Sequence, residues 1–403
     1  MLNKKVLNVC LLALLSAVSA QSCANDTRDQ RQQDLPGDTS GYQLPKLELI
    51  KTSEPVVRYG KIGKSNLLFD FGTDAFGQVK LTIEAVNDND TLTVLVGEML
   101  SADGHINSKP PGTVRFRALP ITLKKGVNTY TPIIPSDKRN TGKNAVLMPV
   151  EIGEVLPFRY VELRTEPGKY DIRSVSRDVV TIKSDDSASS FTSSDTMLNK
   201  IWDLCKHTMK ATTFTGYYVD GDRERIPYEA DALINQLSHY ATYPEYTIAK
   251  RTLDYLIYHP TWPTEWMLQN TMIAWYDYLY SGDIRMVAKL YPQLKAKVLE
   301  DLAREDGLIS TKTGKQSREF LRSIHFREFD LDSKLRDIVD WPQPGETDGF
   351  VFSDYNAVVN AFYFGALQSM EKLAIALGDT ADAQSYRSKA AKVKQSYIKE
   401  KKN

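Results

Sequence analysis

Cysteine is scarce. The 403-residue chain has three, Cys10 and Cys23 close to the N-terminus and Cys205 alone in the middle. The body of the chain therefore contains no pair that could form an internal disulfide, and its stability must come from a buried core of the size this length allows. Cys205 falls on the apolar side of a predicted helix with Met197, Ile201, Leu204 and Thr208, where it reads as a small buried hydrophobe. An excess of charge is also missing. Lys plus Arg and Asp plus Glu each number 51, so no net field recruits nucleic acid or an anionic membrane. The apolar run at 6–18 is too short to span a bilayer. The five histidines (105, 207, 239, 259 and 325) show no metal-ligand spacing. No GxSxG, Walker loop or dinucleotide fingerprint occurs. Neither a metal nor a cofactor is expected.

The N-terminus reads as an export signal over residues 1–20. Lys4 and Lys5 form a basic start, residues 6–18 an apolar stretch, and Val18-Ser19-Ala20 a small-residue cleavage site. Cys23 follows Ala20-Gln21-Ser22, a loose lipoprotein box, so lipid attachment at Cys23 stands beside simple secretion. Either way the product is exported, to the periplasm, the exterior or the outer membrane. Residues 21–45 are polar and read as a flexible tether.

Two textures follow. Residues 46–185 carry short alternating runs separated by Gly and Asp/Asn turns, which predicts a β-sandwich. Among them are a strand at 67–71 entering a turn at Gly72, and separate strands at 78–86 and 91–97. Near Asp186 the texture turns Ser-rich and the hydrophobic period becomes helical. Helices are predicted at 197–209, from Pro227 in a first turn onwards, at 245–258, at 270–280, from Asp283 to about 303, at 354–377 and at 380–399. A long irregular stretch covers 306–352. The short joins favour antiparallel helical hairpins.

Chemistry concentrates at 217–231, where five carboxylates and two guanidiniums share fifteen residues with Tyr217, Tyr218 and Tyr228. Carboxylates supply acid and base, Arg orients them, and aromatic faces suit sugar rings, which points to glycoside cleavage. The competing structural reading is a salt-bridged loop capping a helix. Calcium is disfavoured: Asp220, Asp222 and Glu224 alternate, but the EF-hand Gly and distal Glu are missing. Opposing influences act on Glu224, with Arg223, Arg225 and a helix N-terminus lowering its pKa, and Asp220, Asp222 and burial raising it. Two further groups stand out. His259-Pro260-Thr261-Trp262-Pro263-Thr264-Glu265-Trp266 would make a stiff aromatic wall for a sugar face, with packing between helices as the alternative. Asp340-Trp341-Pro342, followed by Glu346-Thr347-Asp348-Gly349, lies in the long irregular stretch.

Asp220-Gly221, Arg223-Glu224-Arg225-Ile226-Pro227-Tyr228 and Asp231 together resemble the signature of the α-L-rhamnosidase family of glycoside hydrolases. Phe69-Asp70-Phe71-Gly72 with Phe76-Gly77, Phe158-Arg159-Tyr160-Val161-Glu162, Tyr278 with Ser281-Gly282-Asp283, and Asp340-Trp341-Pro342 are similar to other parts of that family. The resemblance implies a β-sandwich ahead of an α/α six-hairpin toroid, the latter spanning 186–403. It implies an inverting hydrolase that removes terminal α-L-rhamnose, with Glu224 as general acid. Asp220, Arg223 and Asp231 would hold sugar hydroxyls and orient the acid, and Asp340 and Trp341 would join the sugar subsite. Trp266, from the aromatic group, is taken as a further binding residue. Two departures are that Ala230 stands where many members carry Gly, and that Asp220 and Glu224 are one residue closer than usual. A six-hairpin toroid needs twelve helices and periodicity yields about seven. The family's base would thus lie beyond Asn403, and the chain would be a truncated, impaired enzyme. Another inverting six-hairpin glycosidase and a non-catalytic carbohydrate-binding protein are the alternatives.

Overall fold

The computed structural model describes residues 42–327, 331–339 and 353–400. Residues 1–41, which hold the expected export signal, Cys23 and most of the expected tether, lie outside the described residues.

Eight antiparallel strands come first: β1 (Leu49–Pro55), β2 (Arg58–Ile62), β3 (Asn66–Ala85), β4 (Thr91–Gly97), β5 (Phe116–Thr122), β6 (Gly126–Tyr130), β7 (Leu156–Arg164) and β8 (Tyr170–Ile182). The order is β1-β8-β3-β7-β4-β5, with β2 and β6 also pairing with β3. β3 is the hinge of the layer. Its first half pairs with β2 and β7, and its second half with β8 and β6. One apolar cluster takes Phe71, Val79, Leu81, Val94, Phe158 and Val161 from both halves. That is the arrangement of two sheets packed face to face.

The strand and turn expected around Gly72 are instead one continuous strand carrying a bulge. Register against β7 shifts between Asp70 and Ala75. Gly72 supplies a positive φ of 83° there. Asp70 holds the bulge: its carboxylate accepts from the Gly72 amide at 2.7 Å, from Arg159 Nε at 2.7 Å and from Arg58 Nη2 at 2.7 Å. Arg159 above all, helped by the Gly72 amide and Arg58, keeps the Asp70 carboxyl well below the usual carboxylate range.

The helices follow: α1 (Thr196–Ala211), α2 (Glu229–Thr242), α3 (Thr247–Tyr258), α4 (Thr264–Met267), α5 (Asn270–Ser281), α6 (Arg285–Lys297), α7 (Arg318–Ser323), α8 (Ala357–Leu377) and α9 (Thr380–Glu400). Local chemistry sets several ends. Asp195 caps α1 by accepting from Met197 N at 2.8 Å, Asn356 caps α8, and Gly282 and Gly378 end α5 and α8 in the left-handed conformation. Pro227 does not sit in the first turn as expected. The helix starts at Glu229 after an extended Tyr228, because the Ile226 carbonyl, which would open a helix beginning at Pro227, is engaged by the Asp220 amide. The core gathers apolar residues of α2 to α9, among them Leu253, Ile273, Leu290 and Leu367. α8 packs against α4, α5, α6 and α9.

Cys205 corrects its sequence reading. It is exposed, as are Met197, Ile201 and Leu204 on the same helix face. Among the described residues, α1 buries only Met209.

Candidate active site

The charged loop joins α1 to α2. Gly221 and Arg225 take positive φ values of 85° and 55°, and the Asp220 amide donates to Ile226 O at 3.2 Å, closing the turn. The charges of the loop fall into two hydrogen-bonded sets.

One set grips the β domain. Asp222 accepts from Arg225 at 2.7 and 3.0 Å, from Asn140 Nδ2 at 3.0 Å and from Arg115 Nε. Arg225 also pairs with Glu154 at 2.7 Å and donates to Val155 O at 3.2 Å. Arg115, Asp222 and Arg225 are all buried. Sequence reading gave no warning of Arg115, Asn140 and Glu154, because their partners lie 70 or more residues away. The salt-bridged reading of the loop is correct for Asp222 and Arg225.

Arg223 anchors the other set. Arg223 donates to Asp220 Oδ2 at 3.0 and 3.2 Å and lies 3.3 Å from Glu224 Oε1. The Tyr228 hydroxyl donates to Glu224 Oε2 at 2.6 Å. Burial, and then the charge of Glu224, raise the pKa of Tyr228's neighbour Asp220, against the pull of Arg223. Burial, followed by Glu224, also pushes the Tyr228 hydroxyl above the usual phenol range, so it stays a donor. Asp220 is the more shielded carboxyl, with a side chain 9% exposed against 36% for Glu224. The set therefore contains a shielded carboxyl inclined to keep its proton and an accessible one fixed by a phenol and a guanidinium. Such a pair suits proton transfer to a bound oxygen. Asp231 is half-buried in the first turn of α2, where a helix N-terminus favours a carboxylate.

The aromatics divide as well. Tyr228 belongs to the site, and Trp266 meets it edge-on with ring centres 5.5 Å apart. Tyr218 is buried and its hydroxyl lies 2.6 Å from His239 Nδ1, so it serves the helical core and not a sugar face. Tyr217 is held by Arg251, which donates to its hydroxyl at 2.9 Å. Trp262 carries the Arg336 guanidinium 4.4 Å from its ring centre.

Tertiary structure brings the aromatic segment to the irregular stretch. Thr264 N donates to Arg336 O at 3.0 Å and Arg336 N to Trp262 O at 3.1 Å. Glu265 is buried, and its Oε1 accepts from Ile338 N at 3.1 Å and Val339 N at 2.6 Å. It thereby tethers the backbone just ahead of Asp340. Asp340 and Trp341 themselves lie outside the described residues, as does the 346–349 group. Glu229, one of the five carboxylates that the sequence offers for acid or hydroxyl-binding work, is instead fully buried and accepts from the Thr261 amide at 3.3 Å and from the Thr261 hydroxyl.

Residues 186–401 match the family model described as the bacterial alpha-L-rhamnosidase 6 hairpin glycosidase domain, more than half of the chain. The chain belongs to this family. Among solved structures, the GH78 family rhamnosidase of Bacillus sp. GL1 superposes with a TM-score of 0.60 at 15% identity, covering 89% of this chain and 33% of that one. The alpha-L-rhamnosidase from Dictyoglumus thermophilum gives 0.63 at 18% identity, covering 88% and 37%. The Klebsiella oxytoca rhamnosidase, solved with rhamnose bound, gives 0.58 at 14%, covering 87% and 70%. The chain thus spans about a third of the first two structures. At these identities the likeness establishes the fold, a β domain followed by six-hairpin helices, as the sequence led one to expect. No curated protein sequence matches. In this rhamnosidase-family chain the Asp220–Arg223–Glu224–Tyr228 set lies inside the matched segment.

Proposed function

We propose that the chain acts as a glycoside hydrolase that releases terminal α-L-rhamnose with inversion, with Glu224 as the general acid. The observation that carries this is the grip on Glu224: a phenol at 2.6 Å and a guanidinium at 3.3 Å fix an accessible carboxyl within the family-matched segment. Arg223 orients Asp220 and Glu224 together. Asp220, Asp231 and Trp266, with Asp340 and Trp341, would contact the sugar. The reading includes domain limits of 46–185 and 186–403 and export through residues 1–20, with either secretion or a lipid on Cys23. Support for these comes from the strand-to-helix change after Ile182 and from the N-terminal sequence pattern.

One observation favours a variant of this reading. Burial favours the protonated form of Asp220, which makes Asp220 the alternative proton donor. Kinetics on two leaving groups decide between them. A p-nitrophenolate departs without a proton, whereas a sugar alcohol needs one. Glu224→Gln should lower kcat/KM about 10²–10⁴-fold on a rhamnosyl disaccharide and far less on p-nitrophenyl α-L-rhamnoside. If Asp220→Asn shows that leaving-group pattern and Glu224→Gln does not, the acid is Asp220. Equal losses on both substrates would refute either acid assignment. Rhamnose binding with no hydrolysis by the unsubstituted chain would favour the carbohydrate-binding alternative.

A further inference from the structure

Two buried charges lie behind the Glu224 set, and the proposed chemistry leaves both unused. Glu229 opens α2 directly after Tyr228 and is fully buried. It accepts from the Thr261 amide at 3.3 Å and from the Thr261 hydroxyl. Lys297, in the last turn of α6, is also fully buried and donates to Ile324 O at 2.7 Å. Burial raises the pKa of the Glu229 carboxyl, against the Thr261 hydroxyl and the charge of Lys297. Burial likewise pulls Lys297 down to about 7, against the charge of Glu229.

Stability is a poor reason for such an arrangement. Taking two ions out of water is costly, and apolar residues of similar volume often serve a core as well or better. The groups that the two side chains hold are more telling. A cleft of about 590 Å³ takes Tyr228, Thr261, Trp262 and Phe326 into its wall, and its volume suits a saccharide unit. Glu229 anchors Thr261 and is the chain neighbour of Tyr228, whose hydroxyl donates to Glu224. Lys297 anchors Ile324, two residues ahead of Phe326. These separate stretches of wall are thus fixed to the start of α2 and the end of α6. The hydroxyl proton of Thr261 goes to Glu229, so this side chain acts on the wall's position and donates nothing to a ligand.

We infer that Glu229 is a positioning residue for the reaction at Glu224: it sets the Thr261–Trp262 wall of the cleft against Tyr228, and through Tyr228 against the acid, while Lys297 holds the 324–326 wall in place. The role rests on the proposed action of Glu224, because alignment with an acid matters only where that acid works. A misplacement of about 1 Å by a change away from the chemistry can slow a reaction about 10²-fold. Glu229 therefore acts on turnover more than on the ground-state affinity for the sugar.

Two charge-free double variants isolate the contact. Glu229→Leu with Lys297→Met removes the acceptor for Thr261, whereas Glu229→Gln with Lys297→Met keeps an amide oxygen in its place. Each is assayed for turnover of a rhamnosyl-glucose disaccharide and titrated calorimetrically with rhamnose. The Leu pair should show kcat about tenfold or more below that of the Gln pair, with rhamnose affinity within about threefold and an unchanged binding stoichiometry. A merely structural role would instead lower stoichiometry and kcat in step, because fewer molecules would be folded. Thr261→Val keeps both buried charges and the shape of the side chain, and it decides the matter if the Leu pair does not fold. Its kcat should fall about threefold or more at unchanged stoichiometry. Equal kcat in the two pairs, a stoichiometry that falls with kcat, or full activity in Thr261→Val would overturn the inference while the unsubstituted chain still turns over the disaccharide. Rhamnose binding with no turnover by the unsubstituted chain would refute the hydrolase reading, and this role with it.

Discussion

His239 shows how burial alone sets a residue's chemistry. It is 1% exposed, ringed by Tyr218, Tyr240 and Tyr243. Burial pulls its pKa down to about 4, against the charge of Glu245. The Tyr218 hydroxyl at Nδ1 suits the neutral ring. In the unfolded chain the same residue titrates near 6.5. Between these values the unfolded state binds the proton and the folded state does not, so its contribution to stability is lost as pH falls from about 6.5 through 4. The full effect is on the order of 3 kcal/mol. Buried carboxyls with raised pKa, such as Asp277 and Glu265, act in the opposite sense, so the comparison must be differential. Urea unfolding of the unsubstituted chain and His239→Gln from pH 7 to pH 4 should show their stability gap changing by up to that amount in favour of the variant. A gap independent of pH would refute this account. At this scale the sequence was a partial guide. It marked Glu224, Arg223 and Tyr228 by their density. It could not separate Asp222 and Arg225, which bond to the β domain, from Arg223, which bonds to Asp220 and Glu224 of its own loop, because those partners are chosen only by the fold.

Among the elements, β3 bears the most topology. Gly77 sits where the strand changes partners, opposite both Leu156 and Val179. A Cβ there would collide with the Asp178 carbonyl oxygen and lie 3.1 Å from the Asp178 carbonyl carbon and 3.2 Å from Val179 Cα. These are backbone atoms and cannot turn aside. Gly77→Ala should therefore cost about 2–4 kcal/mol. Gly168→Ala is the control: it has a positive φ but no atom within 4 Å, so any loss there is backbone strain alone. Equal losses at both sites would exclude the close-approach explanation. Local signals located most elements: alternation marked 91–97, and the 3.6-residue period marked α8 and α9. They failed where a long-range partner decides. The pattern at 67–72 looks like a strand running into a turn, and only pairing with β7 makes it a bulge. The apolar face of α1 reads as buried, although Met197, Ile201 and Leu204 on it are exposed.

The molecule as a whole is joined through the charged loop. Asp222 pairs with Arg115 of the β domain and Arg225 of its own loop, and both guanidiniums are 1% exposed. Asp222→Asn would leave them with Asp137 and Glu154 as remaining carboxylate partners. Removing one partner of a buried charge pair costs about 3–5 kcal/mol, somewhat less where other carboxylates remain. Scanning calorimetry should show the melting temperature lowered by several degrees and the β and helical parts separating into two transitions. A single transition at the original temperature would mean that the contact does not couple them. Because the same loop carries Glu224, the variant should also impair catalysis through misplacement, with no change in the leaving-group pattern expected of an acid variant.

The amino-acid sequence by itself determined the two textures, strands and then helices. It also determined the family-like run from Asp220 to Asp231 and the positions of the capping residues, because periodicity, turn chemistry and capping act over a few residues. Tertiary structure decided which charges of that run form the Glu224 set and which weld the loop to the β domain. It also decided that Trp262 carries Arg336, and that Glu265 tethers the backbone ahead of Asp340. Each of these depends on groups brought together from distant parts of the chain, whose burial and mutual charge exist only once the core has closed around them.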